Sequence, residues 1–306
     1  MAINPTRFIW MDGKLVPWEE AKVHLLTHTL HYGYGVFEGI RCYRTPEGPA
    51  IFRLRDHMLR LQRSAEIVGM KLPYSVEELM EAARMTVKEN GLEECYIRPI
   101  AYCGYGVMGL NPTGAPVRVA VAAWEWGTYL GEEGLRNGVR VKLSPYRRIH
   151  PSILPPHAKL VANYANSILA KLDAVNSGYD EALMLNLAGN VSEGPGENLF
   201  IVEGGTLVTP PISECALPGI TRDSILEIAR REGIPAKEEP IPPERLYRAE
   251  EAFFTGTAAE VTPIREVEGH PIGEGRRGKI TARLQGIYFR VVRGQERGYE
   301  HWLDRV

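Results

Sequence analysis

The sequence predicts an α+β fold in two domains. Its 306 residues exceed what one compact core usually holds. Helical and strand patterns occur in both halves, without the regular alternation that a doubly wound parallel sheet requires. A small N-terminal α/β domain is expected at 1–128 and a larger C-terminal α/β domain at 139–306. A linker is expected at 129–138, because Tyr129-Leu130-Gly131-Glu132-Glu133-Gly134 carries turn residues and no strong periodicity.

The elements follow from local pattern. Leu54, Met58, Leu61, Ala65 and Val68 recur at alternating spacings of four and three, which gives one apolar helix face. Ser75-Val76-Glu77-Glu78 is a capping box that opens a helix running toward Asn90-Gly91. Tyr96 to Cys103 and Val117 to Trp124 read as strands. In the second part, beginning near Val139, Ala165 to Ser177 reads as a helix stopped by Gly178. Glu181 to Leu187 and Asn198 to Glu203 read as strands, and Gly204-Gly205 turns a hairpin into Thr206-Leu207-Val208. Thr221 is expected to cap a helix with Ile225, Ile228 and Ala229 inside, ended by Gly233. Ala252 to Thr255 is another strand, and Ile280, Leu284, Ile287, Tyr288 and Val291 mark a closing helix. No internal repeat or low-complexity segment interrupts this order.

Composition narrows the function classes. Hydrophobic content of 44% and charged content of 24% are those of an ordinary soluble protein. A net charge of −2 gives no electrostatic case for nucleic acid. No apolar run reaches the length needed to span a bilayer, and Met1 to Trp10 lacks a signal-peptide pattern, so a cytoplasmic protein is expected. Cys42, Cys95, Cys103 and Cys215 form no Cys-x-x-Cys pair, which argues against a zinc site and fits free thiols in a reducing compartment. Pro-Pro pairs at 155, 210 and 242 stiffen loops.

Two charged residues lie in unusual surroundings. Lys159 sits in Pro155-Pro156-His157-Ala158-Lys159-Leu160-Val161-Ala162-Asn163-Tyr164, with apolar residues on both sides. An amine in apolar surroundings loses proton affinity and becomes a nucleophile toward carbonyls. Glu193 sits in Ser192-Glu193-Gly194-Pro195-Gly196-Glu197-Asn198-Leu199-Phe200. An acid at the far end of a pyridine ring keeps the ring nitrogen protonated, and the two together suit pyridoxal phosphate chemistry. A phosphate needs backbone N–H groups and a cation. Leu217-Pro218-Gly219-Ile220-Thr221-Arg222-Asp223 is a turn entering a helix. Thr255-Gly256-Thr257-Ala258-Ala259-Glu260 offers a second nest, and Arg55 could add a guanidinium. Taken singly, each turn is also an ordinary helix start, Arg55 an ordinary surface arginine, and Lys159 a lysine whose stem covers apolar surface.

In this order the motifs resemble the fold-type IV family of pyridoxal phosphate enzymes, and within it the branched-chain amino-acid aminotransferases. The most specific segments are His31-Tyr32-Gly33-Tyr34-Gly35-Val36-Phe37-Glu38-Gly39-Ile40-Arg41, Tyr96-Ile97-Arg98-Pro99, the Glu193 segment and the Leu217 segment. The resemblance implies pyridoxal 5'-phosphate (PLP) as cofactor, no metal, and amino transfer from leucine, isoleucine or valine to 2-oxoglutarate. It implies that Lys159, in the C-terminal domain, bonds the cofactor and shuttles the proton. Glu193 then meets the pyridine nitrogen, Tyr164 the ring oxygen, and Arg55, Ile220, Thr221 and Thr257 the phosphate, with Leu217 against the ring. Tyr96 and the N–H groups of Thr257 and Ala258 receive the α-carboxylate. Arg98, with Tyr32 and Tyr129, receives the distal carboxylate of glutamate. Phe37 and Leu110 line the side-chain pocket. A homodimer is implied, with Tyr32 and Leu110 supplied by the neighbouring protomer.

Rival readings are a D-amino-acid or (R)-amine transaminase and an aminodeoxychorismate lyase of the same fold. Tyr96-Ile97-Arg98 argues against the first. The second would not need Arg98 placed for a dicarboxylate. A non-catalytic PLP carrier would have no use for the lysine, acid and dual-substrate set.

Overall fold

A proline in the middle of a strand organises the first half of the chain. In the computed structural model, which describes residues 3–306, the elements of this half are β1 (Phe8–Met11), β2 (Lys14–Pro17), α1 (His28–Tyr32), β3 (Gly35–Phe37), β4 (Ile40–Thr45), β5 (Gly48–Phe52), α2 (Leu54–Ile67), α3 (Val76–Glu89), β6 (Cys95–Cys103) and β7 (Val117–Trp124). Pro99 lies inside β6 and has no N–H for a ladder. On one side β6 pairs β7 along its whole length. On the other its partner changes, from β4 at Cys95–Ile97 to β3 at Ile100–Tyr102. Pro99 falls at the changeover, and its carbonyl accepts Glu38 N–H at 2.9 Å. The break between β3 and β4 thus lets Glu38-Gly39 step aside. Gly39 has to be glycine, because a Cβ there would stand 1.9 Å from Tyr96 Oη.

α2 and α3 are amphipathic as read. α2 buries Leu54, Met58, Leu61 and Ala65. α3 opens on the capping box, with Glu78 N–H on Ser75 Oγ and Ser75 N–H on Glu78 Oε2. α3 packs on β1, β6 and β7, and α2 on β3.

The second half contains α4 (Gly131–Asn137), β8 (Val139–Leu143), α5 (Asn163–Asn176), β9 (Glu181–Leu185), β10 (Val191–Glu193), β11 (Asn198–Glu203), β12 (Thr206–Thr209), α6 (Ile220–Arg231), β13 (Ala236–Glu238), α7 (Pro243–Tyr247), β14 (Glu251–Gly256), β15 (Glu260–Val267), β16 (His270–Pro271) and α8 (Lys279–Val292). Its sheet runs β10-β9-β8-β15-β14-β11-β12-β13, with β16 on β15. β10 also pairs β11, so six strands close on themselves. Val141, Leu183, Leu199, Ile201, Phe254 and Ile264 form part of the core. Phe200 and Phe253 are register partners whose rings stack at 5.1 Å. Residues on both faces of β11 and β14 are buried, which is why these strands read as continuous apolar runs.

A last strand, β17 (Leu303–Arg305), pairs β5, so the first sheet has eight strands. The chain divides into unit one, Met1–Trp126 with Ala158–Ala162 and Val291–Val306, and unit two, Gly127–His157 with Asn163–Arg290. This corrects the expected single cut. Residues 158–162, with Lys159, belong to unit one because Leu160 bridges Val36, and Val161 and Ala162 N–H donate to the carbonyls of Gly35 and Gly33. The stretch expected as linker contains α4, whose Leu135 is buried. Two smaller corrections follow. Gly219, not Thr221, is the N-cap of α6. β9 ends at Leu185, where Asn186 and Asn190 exchange hydrogen bonds across a turn. Among the described residues no helix is long and apolar enough to cross a membrane.

Ser64 on α2 is fully buried, and its Oγ accepts the N–H of Lys159 at 3.0 Å. Ser64→Ala removes that acceptor. It is expected to lower stability by about 1–3 kcal/mol, measured by urea denaturation. An unchanged midpoint would show that the bond does not secure the segment.

Candidate active site

In unit one, backbone geometry places the lysine. Phe37 N–H donates to Lys159 C=O at 3.1 Å. With the Ser64 bond, this fixes both sides of the Lys159 backbone. Ala158 and Leu160 are buried and Lys159 is half-buried. Lys159 Nζ lies 5.1 Å from the centre of the Phe37 ring, and Arg98 Cζ lies 4.8 Å from the same ring. Arg98 Nη2 also donates to Tyr96 Oη at 3.3 Å, while its buried Nε has no hydrogen-bond partner. Tyr96 packs edge-on against Trp126 at 4.4 Å. Lys159, Phe37, Tyr96 and Arg98 are therefore one cluster.

A charged network lies beneath it. Glu38 is fully buried; its carboxylate accepts Arg60 Nε and Nη2 at 2.7 and 2.8 Å and His57 Nδ1–H at 2.7 Å. Burial alone would push this carboxyl up, but Arg60 and His57 outweigh it and hold it far below the usual range. Burial pushes the His57 imidazole down; Glu38 pulls it back only in part, and the charges of Arg60 and Lys159 push it down further. His57, Arg60 and Ser64 are three and four residues apart and share one face of α2. Arg55 is on another face. Its guanidinium pairs with Glu77 of α3 at 2.9 Å, with the side chain 58% exposed, against 10% for Arg60. Arg55 is thus a surface ion-pair residue, and Arg60, which sequence reading passed over, is the largely buried arginine of α2. Its signal was helix phase, since it shares the face that buries His57 and Ser64.

Tyr32 ends α1, with its ring 4.7 Å from His28. Leu110 lies in the loop after β6 and is 88% exposed.

In unit two, Glu193 ends β10 opposite Asn198. Its Oε1 lies 2.7 Å from Arg148 Nε as a buried ion pair. Oε2 accepts Asn198 Nδ2 at 3.1 Å and Leu217 N–H at 3.0 Å. Asn198 Nδ2 also donates to Leu217 C=O at 2.9 Å. One acid thereby ties the Leu217 turn to the strand. Gly219 sits so close to this network that a Cβ would stand 1.9 Å from Asn198 Oδ1. Ile220 and Thr221 begin α6, whose N-terminus carries partial positive charge and no side-chain cap. Thr257 and Ala258 form the turn between β14 and β15, after Gly256, where a Cβ would meet Gly196 C=O at 3.1 Å. Tyr164 is the second residue of α5. Tyr129 lies under Lys171, whose ammonium is 5.4 Å from its ring. Arg148 and Asn198 were not foreseen as site residues; Arg148 lies in a loop with no signal of its own.

These residues fit a phosphate-bearing pyridine cofactor. Unit two supplies an anchored acid, an uncapped helix N-terminus, one glycine without room for a side chain and a second in close quarters. The Ser192 and Thr255 hydroxyls beside them are buried without partners. Among the described residues no group of three or more His, Cys, Asp or Glu could hold a metal ion.

Glu197 is buried in the turn after Glu193, its Oε2 accepting Gly196 N–H at 3.0 Å. Burial, reinforced by the charges of Glu181 and Glu193, pushes its carboxyl up to about 8. Between about pH 4.3 and this value the folded chain holds a proton that the unfolded chain has released. This share of stability therefore falls as pH rises through the window. Glu197→Gln is expected to gain on wild type by on the order of 1–2 kcal/mol between pH 5 and pH 8, read from urea denaturation at both pH values. Parallel curves would show that Glu197 ionises normally.

The family described as Amino-transferase class IV matches residues 35–267. A branched-chain-amino-acid aminotransferase of Pseudomonas aeruginosa is 51% identical over 97% of this chain and 97% of its own. The crystal structure of the Escherichia coli branched-chain amino acid aminotransferase superposes with a TM-score of 0.96 at 46% identity, covering 98% of this chain and 99% of that one. The T.th. branched-chain amino acid aminotransferase complexed with N-(5'-phosphopyridoxyl)-L-glutamate superposes at 0.94, with 46% identity and 98% of each chain covered. With its family match spanning both units, this chain belongs to the class IV aminotransferases.

Proposed function

We infer that this chain is a branched-chain-amino-acid aminotransferase. It moves the amino group of L-leucine, L-isoleucine or L-valine to 2-oxoglutarate in a ping-pong cycle that uses PLP. The observation that carries the reading is the Phe37 ring shared by Lys159 and Arg98. A reactive amine and a dicarboxylate-binding cation stand on one apolar wall, as a pocket for both leucine and glutamate requires. The relatives named above support the substrate class, and the complexed T.th. structure pairs a pyridoxyl phosphate with glutamate.

When bound, PLP supplies an aldehyde that takes up the amino group and a ring that stores the electron pair left at the substrate's α-carbon. Lys159 Nζ would hold the cofactor, and as a free amine it would move the proton of the substrate's α-carbon. Glu193 keeps the ring-nitrogen proton in place, and Tyr164 bonds the ring oxygen. Ile220 and Thr221 in the first turn of α6, with Thr257, hold the phosphate, and Leu217 packs on the ring. We assign the phosphate-side guanidinium to Arg60 in place of Arg55, because Arg60 shares the Lys159-facing side of α2. Tyr96 with the N–H groups of Thr257 and Ala258 binds the α-carboxylate. Arg98, with Tyr32 and Tyr129, binds the distal carboxylate, and Phe37 and Leu110 line the side-chain pocket. A homodimer in which Tyr32 and Leu110 serve the partner's site is supported by apolar exposure in unit one: Leu110 is 88% exposed and Leu25 75%. A cytoplasmic location suits the four free cysteines.

Adding L-leucine without acceptor is expected to bleach the bound cofactor's visible band, and 2-oxoglutarate to restore it. A band answering only to D-alanine or an (R)-amine would overturn the assignment. Lys159→Ala is expected to keep the cofactor through its phosphate while turnover falls at least about 10³-fold; wild-type turnover would remove the lysine from the mechanism. Arg98→Met is expected to raise KM for 2-oxoglutarate by about 10–100-fold and KM for leucine much less. Equal losses for both would mean that Arg98 does not read the distal carboxylate.

A further inference from the structure

His28 has no role in the reading above, yet it touches Tyr32, which has one, and the residue before Leu110. It is the first residue of α1 and is buried. Its Nε2 lies 2.8 Å from the carbonyl of Gly109. A carbonyl only accepts, so Nε2 carries the proton and donates. Its Nδ1 is buried without a hydrogen-bond partner. Its ring packs on Tyr32 at 4.7 Å, and its backbone N–H donates to Gly104 C=O at 3.2 Å. Gly109 directly precedes Leu110.

Within the protomer, the loop that His28 grips has few other hydrogen bonds to hold it. Tyr105, Met108 and Leu110 are all exposed, so no core burial fixes them. Its other hydrogen bonds are internal, from Ala115 N–H to Pro112 C=O and from Thr113 N–H to Asn111 Oδ1. Among the described residues, the bond from His28 is the hydrogen bond that ties residues 105–115 to the rest of unit one, and the rings of His24 and Tyr105 add a contact at 4.1 Å. Gly109 itself has φ +111°, a conformation that favours glycine.

We propose that His28 is a positioning residue for substrate selection, which sets Tyr32 and the Leu110 loop in one fixed arrangement through its ring contact and its hydrogen bond to Gly109. It touches neither substrate nor cofactor. Tyr32 belongs with the distal carboxylate and Leu110 with the aliphatic side chain, so one imidazole sets the geometry for both substrates. This rests on the aminotransferase reading.

The test compares holoenzyme carrying His28→Ala or His28→Gln with wild type, Gln being able to place an N–H near the Gly109 carbonyl. His28→Ala is expected to raise KM for L-leucine and for 2-oxoglutarate by about 5–20-fold, with kcat within about threefold and the cofactor dissociation constant unchanged. His28→Gln is expected to recover most of the loss. Hydrogen exchange of the 105–115 amides, which needs no substrate, is expected to accelerate in His28→Ala and to return toward wild type in His28→Gln. Unchanged KM values, a Gln variant as defective as Ala, or a parallel loss of kcat and cofactor affinity would overturn the proposal. Wild-type protein without leucine turnover would instead overturn the aminotransferase reading and the selection role with it, while the exchange rates still decide whether His28 anchors the loop.

Discussion

The docking of residues 158–162 onto β3 is the constraint on which the rest depends. Three backbone hydrogen bonds and the Ser64 hydroxyl hold five residues that arrive from unit two and leave again into α5. A flexible amine on a four-carbon stem has many rotamers. Fixing its backbone and resting its head over Phe37 removes most of that freedom before any ligand arrives, which is how positioning contributes to rate. The glycine that ends α1 follows from the same docking. A Cβ on Gly33 would touch Ala162 at 3.0 Å, and Gly33 has φ +66°.

The acid of unit two is built by a different principle. Glu193 gains its fixed direction from Arg148, Asn198 and the Leu217 amide, so its carboxylate oxygens are shared among groups from separate elements. The Leu217 turn leads into Gly219 and α6, and Asn198 stands opposite Thr255 in the sheet. The elements around the acid are therefore joined through one carboxylate and one amide side chain. Substitution of either would loosen the Leu217 turn that leads into α6.

Much of this was legible in the sequence because it is local. The capping box at Ser75, the apolar stripe of α2 and the strands around Arg98 and Asn198 are read from neighbours in the chain. Lys159 stood out because its flanking residues are apolar, and the structure buries Ala158 and Leu160. What failed is non-local. The segment 158–162 belongs to unit one through bonds to residues some 125 positions earlier, which no pattern in Pro155-Pro156-His157 records. Turn composition at 129–134 suggested a linker, but Leu135 finds a buried place and the segment folds as α4. Arg55 and Arg60 look alike in sequence. Only the phase of α2, set by which face meets Ser64 and His57, separates a surface ion pair from a buried one.

That difference also explains where stability is sacrificed. Buried ion pairs recover their desolvation cost only with good geometry and extra hydrogen bonds, and apolar replacements are often as stable or more so. Unit one buries Glu38 with Arg60 and His57. Unit two buries Glu193 with Arg148, and Glu181 against the half-buried Lys171. A chain selected for stability alone would have little reason to keep three such groups. Two of them adjoin or belong to the residues assigned to the reaction: Glu38 follows Phe37 directly, and Glu193 is itself the acid. Fixed charges in a water-poor interior do not need to reorganise when charge develops nearby. The charges least favourable to folding are therefore the ones best suited to hold a proton or an anion still.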